Sequence, residues 1–333
     1  MNNLLYKVSN FKNDDILINK IVELWNQEIG FIFPFTKEMF IQKTIDCKYI
    51  DYDSSFVATI DNDVVGFIIS KVYDNNEIMS KYIDKAWISL FYVSRKYRRN
   101  GIGSNLLEKN ESILKQKGII EILFGSDYDN FFPGIPNDFD NLTEPFLTKR
   151  GYNCGRYTHD LIRKLKHTTD EKYDHSLRYA TKDDKRIVLE FFEKNFYGRW
   201  YYEALEYFEN DEIEKEYLLS FEGDIMTGFL RINRGIINKI SYNMNWSLRF
   251  DKLVGIGPLG VAREYRKRKI AKSLINKGLN DCTIEGYTDA LIDWTGLMEI
   301  YQKYGFEVWK CYQYASKRIK IDWNLCKKKS NMI

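Results

Sequence analysis

The sequence predicts an α/β (α+β) fold in two tandem copies, and three observations predict it. First, an apolar run from Ile88 to Val93 leads into a basic, glycine-containing turn and then an amphipathic segment, the order strand, loop, helix. Second, that turn recurs. Tyr97-Arg98-Arg99-Asn100-Gly101-Ile102-Gly103 is paralleled by Tyr265-Arg266-Lys267-Arg268-Lys269-Ile270-Ala271, with Arg98 and Arg266, and likewise Val93 and Val261, 168 residues apart. Third, Asp63-Val64-Val65-Gly66-Phe67 is matched by Ile225-Met226-Thr227-Gly228-Phe229, whose glycines lie 162 residues apart. Collinear matches point to duplication. They divide the chain into residues 1–168 and 173–333, joined by the polar stretch from Lys166 to His175.

The elements follow in order. Leu4 to Val8 reads as a strand. Asp14 and Asp15 stand where a helix cap and first-turn acid belong, ahead of Ile18, Ile21, Val22 and Trp25 at helical spacing. Thr36 starts a second helix through about Ile45. Ser55–Ile60 and Val64–Val72 flank the turn Asp61-Asn62-Asp63 as a hairpin. After the central motif, Glu121–Ser126 reads as a fifth strand, Leu142–Arg150 as a short helix stopped by Gly151, and Tyr157–Leu165 as the strand that ends the first sheet. Between them, Asp127–Asn141 is an irregular loop with two prolines and several aromatics, of a length expected for a wall or lid of a site. The second copy repeats the plan. Helices begin at Asp183-Asp184 and near Trp200, a hairpin turns at Glu222-Gly223-Asp224, and Leu253–Val261 reads as a strand bulged or splayed by its glycines and proline. Ala290–Trp294 is the fifth strand and Thr295–Tyr304 the last helix, ended by Gly305.

Composition bounds the function. The 333 residues suit about two domains, and 44% hydrophobic with 29% charged residues describes a globular chain with a sizeable core. A net charge of +3 gives no bulk field for nucleic acid. Five cysteines without a Cys-x-x-Cys pair fit a reducing, cytoplasmic setting. His159, His167 and His175 have no ligand spacing, so no metal is expected. The first residues lack the apolar segment of a leader, no run approaches the about 20 apolar residues of a membrane span, and Lys327–Lys329 reads as a solvated tail. Oligomeric state is left open.

The loop carries the chemistry. Glycines at 101 and 103 let an oxygen approach backbone N–H groups at a helix N-terminus, and Arg98 and Arg99 add charge, a combination that suits a phosphate or pyrophosphate. No Gly-Lys-Ser/Thr follows, and the glycine spacing is not that of a dinucleotide fingerprint. The segment Arg98-Arg99-Asn100-Gly101-Ile102-Gly103 resembles the R-x-x-G-x-G/A loop of the GCN5-related N-acetyltransferases. Ile300-Tyr301-Gln302-Lys303-Tyr304-Gly305-Phe306 is similar to the closing L-Y-x-x-x-G-F of that family. The resemblance covers both halves. It implies two tandem domains, each a mixed, mostly antiparallel sheet flanked by helices.

It also implies acyl-CoA, most simply acetyl-CoA, as donor and a small-molecule amine as acceptor. Residues Arg98, Arg99, Asn100, Gly101, Ile102, Gly103 and Ser104 would hold the pyrophosphate, and the strand ending in Tyr92 and Val93 would pair with the pantetheine arm. Tyr301 would protonate the departing thiolate, and Asp127 or Asp129, just past the fifth strand, would take the amine proton. Each half departs from the pattern. Leu147 stands where the first half would carry the tyrosine, and Lys269 replaces the first glycine in the second. Because lysine avoids positive φ and its stem crowds a phosphate, the second half is expected to seat acyl-CoA weakly or not at all. Two rival readings are a non-catalytic acyl-CoA-binding sensor and an aminoacyl-tRNA-dependent peptidyl transferase. The intact phosphate loop speaks against the latter.

Overall fold

A computed structural model of the chain describes residues 4–74, 77–166, 176–210, 215–235 and 240–319. The expected linker beyond Lys166, the basic tail, His167, His175 and Cys326 lie outside them. Two compact units emerge, Met1–Thr158 with Cys311–Ile333, and His159–Lys310. They cut the chain differently from the sequence repeat, at 1–168 and 173–333, because two strands are exchanged.

The first unit begins with β1 (Lys7–Asn10), α1 (Asp15–Ile29), α2 (Lys37–Lys43), β2 (Phe56–Ile60) and β3 (Asp63–Val72). Asp14 caps α1 by accepting from the Leu17 N–H at 2.8 Å, and Thr36 caps α2 through the Met39 N–H. Each such cap contributes about 1 kcal/mol. Asp61 and Asn62, both at positive φ, close the β2–β3 hairpin. Then come β4 (Lys85–Val93), α3 (Ile102–Gln116), β5 (Glu121–Phe124), the two-residue β6 (Ile135–Pro136) and α4 (Thr143–Thr148). The sheet order is β1-β2-β3-β4-β5, antiparallel except for the parallel β4–β5 pair.

The strand β7 (Asn153–Lys164) corrects the expectation that Tyr157–Leu165 ends this sheet. Its residues from His159 pair antiparallel with a strand of the second unit, Leu161 opposite Ile292 and Lys164 opposite Asp289. The first sheet is completed instead from the end of the chain, Ser316 opposite Leu123 and Arg318 opposite Glu121. The two strands hold equivalent places in the repeat, so each sheet gains the same ladder whichever copy supplies it.

The second unit runs β8 (Ser176–Tyr179), α5 (Lys185–Asn195), α6 (Arg199–Glu209), β9 (Tyr217–Glu222), β10 (Ile225–Asn233), β11 (Leu253–Val261), α7 (Ile270–Ile284), β12 (Asp289–Thr295), α8 (Met298–Gln302) and β13 (Glu307–Arg318). Its sheet order, β8-β9-β10-β11-β12-β7, with only β11–β12 parallel, repeats the first. The expected bulge in β11 is present opposite Leu230–Ile232. The last helix is shorter than its sequence pattern suggests, and the strand after Gly305 was not expected at all.

Each sheet buries one face under the helix that follows the basic loop. In the first unit Ile102, Leu106, Leu107 and Leu114 of α3 are fully buried against β2–β5, each contributing about 1.5–3 kcal/mol. Asn110 on that face gives its Nδ2 to the Ser54 carbonyl and Ser70 Oγ, both at 2.6 Å. In the second unit Ile270, Leu274, Ile275 and Leu279 of α7 do the same. Close approach explains the glycine that recurs inside β3 and β10. A Cβ on Gly66 would sit 3.0 Å from the Tyr92 carbonyl and 3.4 Å from Ile102, and one on Gly228 would sit 2.9 Å from the Gly260 carbonyl and 3.2 Å from Ile270.

Candidate active site

The first unit opens where its parallel pair separates. β4 and β5 pair as far as Ile88 and Phe124, the Gly125 N–H reaches the Ile88 carbonyl at 2.9 Å, and the strands then part. A slip in the β3–β4 register at Ser89 adds to the splay. β4 continues to Val93 paired with β3, leaving its other edge on a cleft of about 500 Å³. That volume suits a small ligand or cofactor. Phe91, Tyr92 and Val93 line one side, Arg98 to Ser104, without Asn100, the floor, and Phe139 to Phe146 the far wall.

The loop's geometry answers to its sequence. Arg99 takes φ 65° and Gly101 φ 83°, turning the chain into α3. A Cβ at Gly101 would meet nothing nearer than the Tyr6 hydroxyl at 4.0 Å, so that side of the turn is open. The first turn of α3 aims N–H groups of Ile102, Gly103 and Ser104 without helical acceptors. Arg98 donates to the Val93 carbonyl at 3.0 Å and to Asp140 Oδ2 at 2.9 Å. Arg99 is exposed and has no ion-pair partner among the described residues. Asn100 spends its amide on the Tyr97 and Arg98 carbonyls inside the turn, and Ser104 Oγ accepts from Arg150.

Glu28 of α1, which sequence reasoning missed, ties down the end of β4 and the start of the basic loop. It accepts from the Tyr92 hydroxyl at 2.7 Å, Ser94 Oγ at 2.6 Å and the Arg95 N–H at 2.8 Å. Burial opposes its charge, but these donors hold its carboxyl below the usual range. Burial and Glu28 together push the Tyr92 hydroxyl well up. The Asp127–Asn141 loop divides its work. Phe131 and Phe132 are buried among Trp25, Phe33, Phe35 and Phe40, whereas Phe139 packs on Tyr92 and faces Arg98 at 5.7 Å. Under the splay those rings leave a cavity of only about 90 Å³.

Asp127 and Asp129 are placed together but away from the cleft lining. Both are buried in ion pairs, Asp127 with Lys71 at 2.6 Å and Asp129 with Lys43 at 2.9 Å. Lys71, wholly buried, also donates to the Tyr128 and Asp129 carbonyls. Burial disfavours its charge, and Asp127 foremost restores it, leaving the ammonium above its ordinary value. Leu147 is fully buried in α4. Tyr301, in the second unit, is buried against Phe306, and burial followed by Asp293 pushes its hydroxyl up to about 12.

The second loop keeps the backbone of the first although lysine replaces its glycine. Lys269 takes φ 62° and ψ 8°, beside φ 83° and ψ −10° at Gly101, and Lys267 matches Arg99. The preceding arginines agree as closely, φ −64° and ψ 160° at Arg98 against φ −66° and ψ 159° at Arg266. Lysine therefore adopts the turn, at a cost of about 1–2 kcal/mol that the packing of α7 absorbs. Among the described residues no group of three or more His, Cys, Asp or Glu could hold a metal, no helix is long and apolar enough to cross a membrane, and the four cysteines are free.

Residues 19–131 match the family model described as the acetyltransferase (GNAT) family. None of the curated proteins matches the sequence. Among solved structures, a fungal multi-domain β-N-acetylglucosaminidase carrying a GCN5-related glucosamine N-acetyltransferase region is 21% identical with a TM-score of 0.83. The match covers 94% of this chain but 38% of the fungal one. A GCN5-related N-acetyltransferase from Sphaerobacter thermophilus is 16% identical at a TM-score of 0.67, covering 95% and 97% of the two chains. A tandem GNAT protein of the clavulanic acid biosynthesis pathway is 13% identical at 0.68, covering 94% and 98%. These likenesses establish the fold, and the family is one of acyl-CoA-dependent N-acetyltransferases. The family match thus lies inside the first half, at residues 19–131, and a solved tandem GNAT protein shares the fold of the chain.

Proposed function

We propose that the chain is an acetyl-CoA-dependent N-acetyltransferase of a small amine, with the cofactor's pyrophosphate held at Arg98–Ser104 in the first unit. The observation that carries this reading is the cleft itself. An open glycine turn, a helix N-terminus and two arginines stand at one end, and the free edge of β4 runs from there toward the splay. A pantetheine amide can pair with that edge as another strand would. The acetyl group would then point to the gap between β4 and β5, where strand N–H groups can stabilise an oxyanion.

One observation favours the sensor reading for the first unit taken alone. Its splay is filled with aromatic rings, and Asp127 and Asp129 are held by lysines. Binding and turnover are separated by free-thiol release from acetyl-CoA across a panel of amines. The fungal structure is described as a glucosamine N-acetyltransferase region, so amino sugars head that panel. Thiol release that depends on the amine supports the enzyme. Saturable binding with no release by any amine supports the sensor.

A further inference from the structure

The small cavity under the splay of the first unit is continuous with the cleft. It holds about 90 Å³, and Phe91, Tyr92, Phe139 and Thr143 line both spaces. Trp25 and Ile29 of α1, Phe33 just after it, and Phe132 and Ile135 past β5 line the cavity and not the cleft. The rings pack closely, Trp25 stacking on Phe132 with centroids 6.0 Å apart and Phe33 meeting Phe132 edge-on at 5.1 Å. Backbone closes another part of the wall. A Cβ on Gly125 would lie 2.5 Å from the Phe132 carbonyl oxygen, and one on Gly134 2.8 Å from the Gln313 carbonyl oxygen, so little slack remains behind either glycine.

The few polar side chains on this wall are committed to one another's neighbours. The Ser89 hydroxyl donates to Asp127 Oδ2 at 2.5 Å, the Tyr92 hydroxyl to Glu28 at 2.7 Å, Trp25 Nε1 to the Phe33 carbonyl at 2.6 Å and the Thr143 hydroxyl to Asp140 Oδ1 at 3.2 Å. No Asp, Glu, Lys, Arg or His among the described residues lines the cavity. A cationic amine, or an acyl group ending in a carboxylate, would lose its hydration there and meet no counter-charge. A hydrocarbon tail is favoured by the same burial. Size sets its length. Benzene, with six carbons, fills a dry cavity of about 150 Å³, so about 90 Å³ suits about three or four carbons.

We propose that this cavity is a subsite for the acyl tail of the donor thioester, and that it selects uncharged hydrocarbon acyl groups of up to about four carbons. The inference rests on the reading of the cleft as the acyl-CoA site and goes beyond it. With the pyrophosphate at Arg98–Ser104 and the pantetheine arm along β4, the thioester reaches the gap beside Gly125, and its tail has the cavity ahead of it. Acetyl-CoA enters but leaves part of the cavity empty. Propionyl- and butyryl-CoA fill it. The amine acceptor stays outside, because nothing on the cavity wall balances its charge.

The test is calorimetric titration of the full chain with acetyl-, propionyl-, butyryl-, hexanoyl- and succinyl-CoA. Each methylene up to butyryl tightens binding about fourfold, so butyryl-CoA binds about fifteenfold tighter than acetyl-CoA. Hexanoyl-CoA overfills the cavity and falls back below butyryl-CoA. Succinyl-CoA, equal to butyryl-CoA in carbons but ending in a carboxylate, binds about tenfold or more weakly than butyryl-CoA. Ile29→Phe adds a ring to a wall that the cleft does not share, and brings the ratio of butyryl to acetyl affinity toward one. Where that variant folds poorly, the wild-type series decides by itself. Affinity that is flat or falls from acetyl to butyryl, that keeps rising to hexanoyl, or that is equal for butyryl and succinyl overturns the subsite, as does an unchanged ratio in folded Ile29→Phe. Acetyl-CoA binding that Gly101→Glu weakens, with no gain along the series, brings down the subsite alone. A chain that binds none of these thioesters brings down the reading of the cleft together with it.

Discussion

Asp140 puts a carboxylate into the proposed phosphate seat, and removing its charge should tighten acyl-CoA binding. Its Oδ2 accepts from Arg98 Nη1 at 2.9 Å, with the two side chains 19% and 23% exposed. An incoming pyrophosphate must share or displace that partner and also meet the repulsion of Asp140. One unit charge at about 4 Å contributes about 1 kcal/mol at the dielectric of water and more in a cleft. Asp140→Asn should therefore lower the acetyl-CoA Kd about five- to tenfold at low salt. The gap should narrow as ionic strength rises, because the Debye length falls to about 3 Å at 1 M. Asparagine is the right replacement because Asp140 Oδ1 also accepts from the Leu142 N–H and Thr143 Oγ1 ahead of α4, and asparagine can keep that role. Calorimetric titration at two salt concentrations reads the effect. Weaker or unchanged binding in a folded variant would refute the placement of Asp140 beside the phosphates.

Three further outcomes follow from the same structure. Phe139→Ala should weaken acetyl-CoA binding several-fold with little change in Tm, since Phe139 lines the cleft, whereas Phe132→Ala should cost about 3–5 kcal/mol of stability from the core; thermal melts and titrations separate the two. Lys71→Met takes the ion-pair partner from buried Asp127 and leaves it Ser89 Oγ as donor, so it should destabilise by about 3–5 kcal/mol in denaturant unfolding, and Lys71→Met with Asp127→Asn should recover much of that loss. For Asp293 the folded carboxyl lies above its unfolded value, so its contribution is favourable at low pH and is lost as pH rises through about 7. Asp293→Asn should raise Tm at pH 8 relative to wild type by more than at pH 5, and a pH-independent difference would count against the raised carboxyl.

Much of this was legible in the sequence, and what was not has a physical cause. The β4–loop–α3 motif could be read because a strand, a glycine turn and an amphipathic helix each leave a local pattern, as do the Asp14 and Thr36 caps. The exchange of β7 and β13 could not, because two strands of equivalent pattern satisfy either sheet. Asp127 and Asp129 looked like free carboxylates past a strand end, and only the fold brings Lys43 and Lys71 to them. A lysine inside the apolar run of β3 was a signal that could have warned of it. Glu28 carries no local signal, as its three donors lie 64 to 67 residues away. Lys269 shows the limit of propensity, because helix packing outweighs a preference of about 1–2 kcal/mol.

The most direct test of the central claim is acetyl-CoA binding to Gly101→Glu. Glutamate at φ 83° would place a side chain and a negative charge where the pyrophosphate meets the α3 N-terminus. With the wild-type isotherm as reference, the account predicts that the first-unit site weakens about a hundredfold, some 2.7 kcal/mol, in a chain that still folds, with Tm lowered only by the cost, about 1–2 kcal/mol, of a side chain at that positive φ. An isotherm unchanged in affinity and stoichiometry, in a folded Gly101→Glu protein, would show that Arg98–Ser104 does not hold the cofactor.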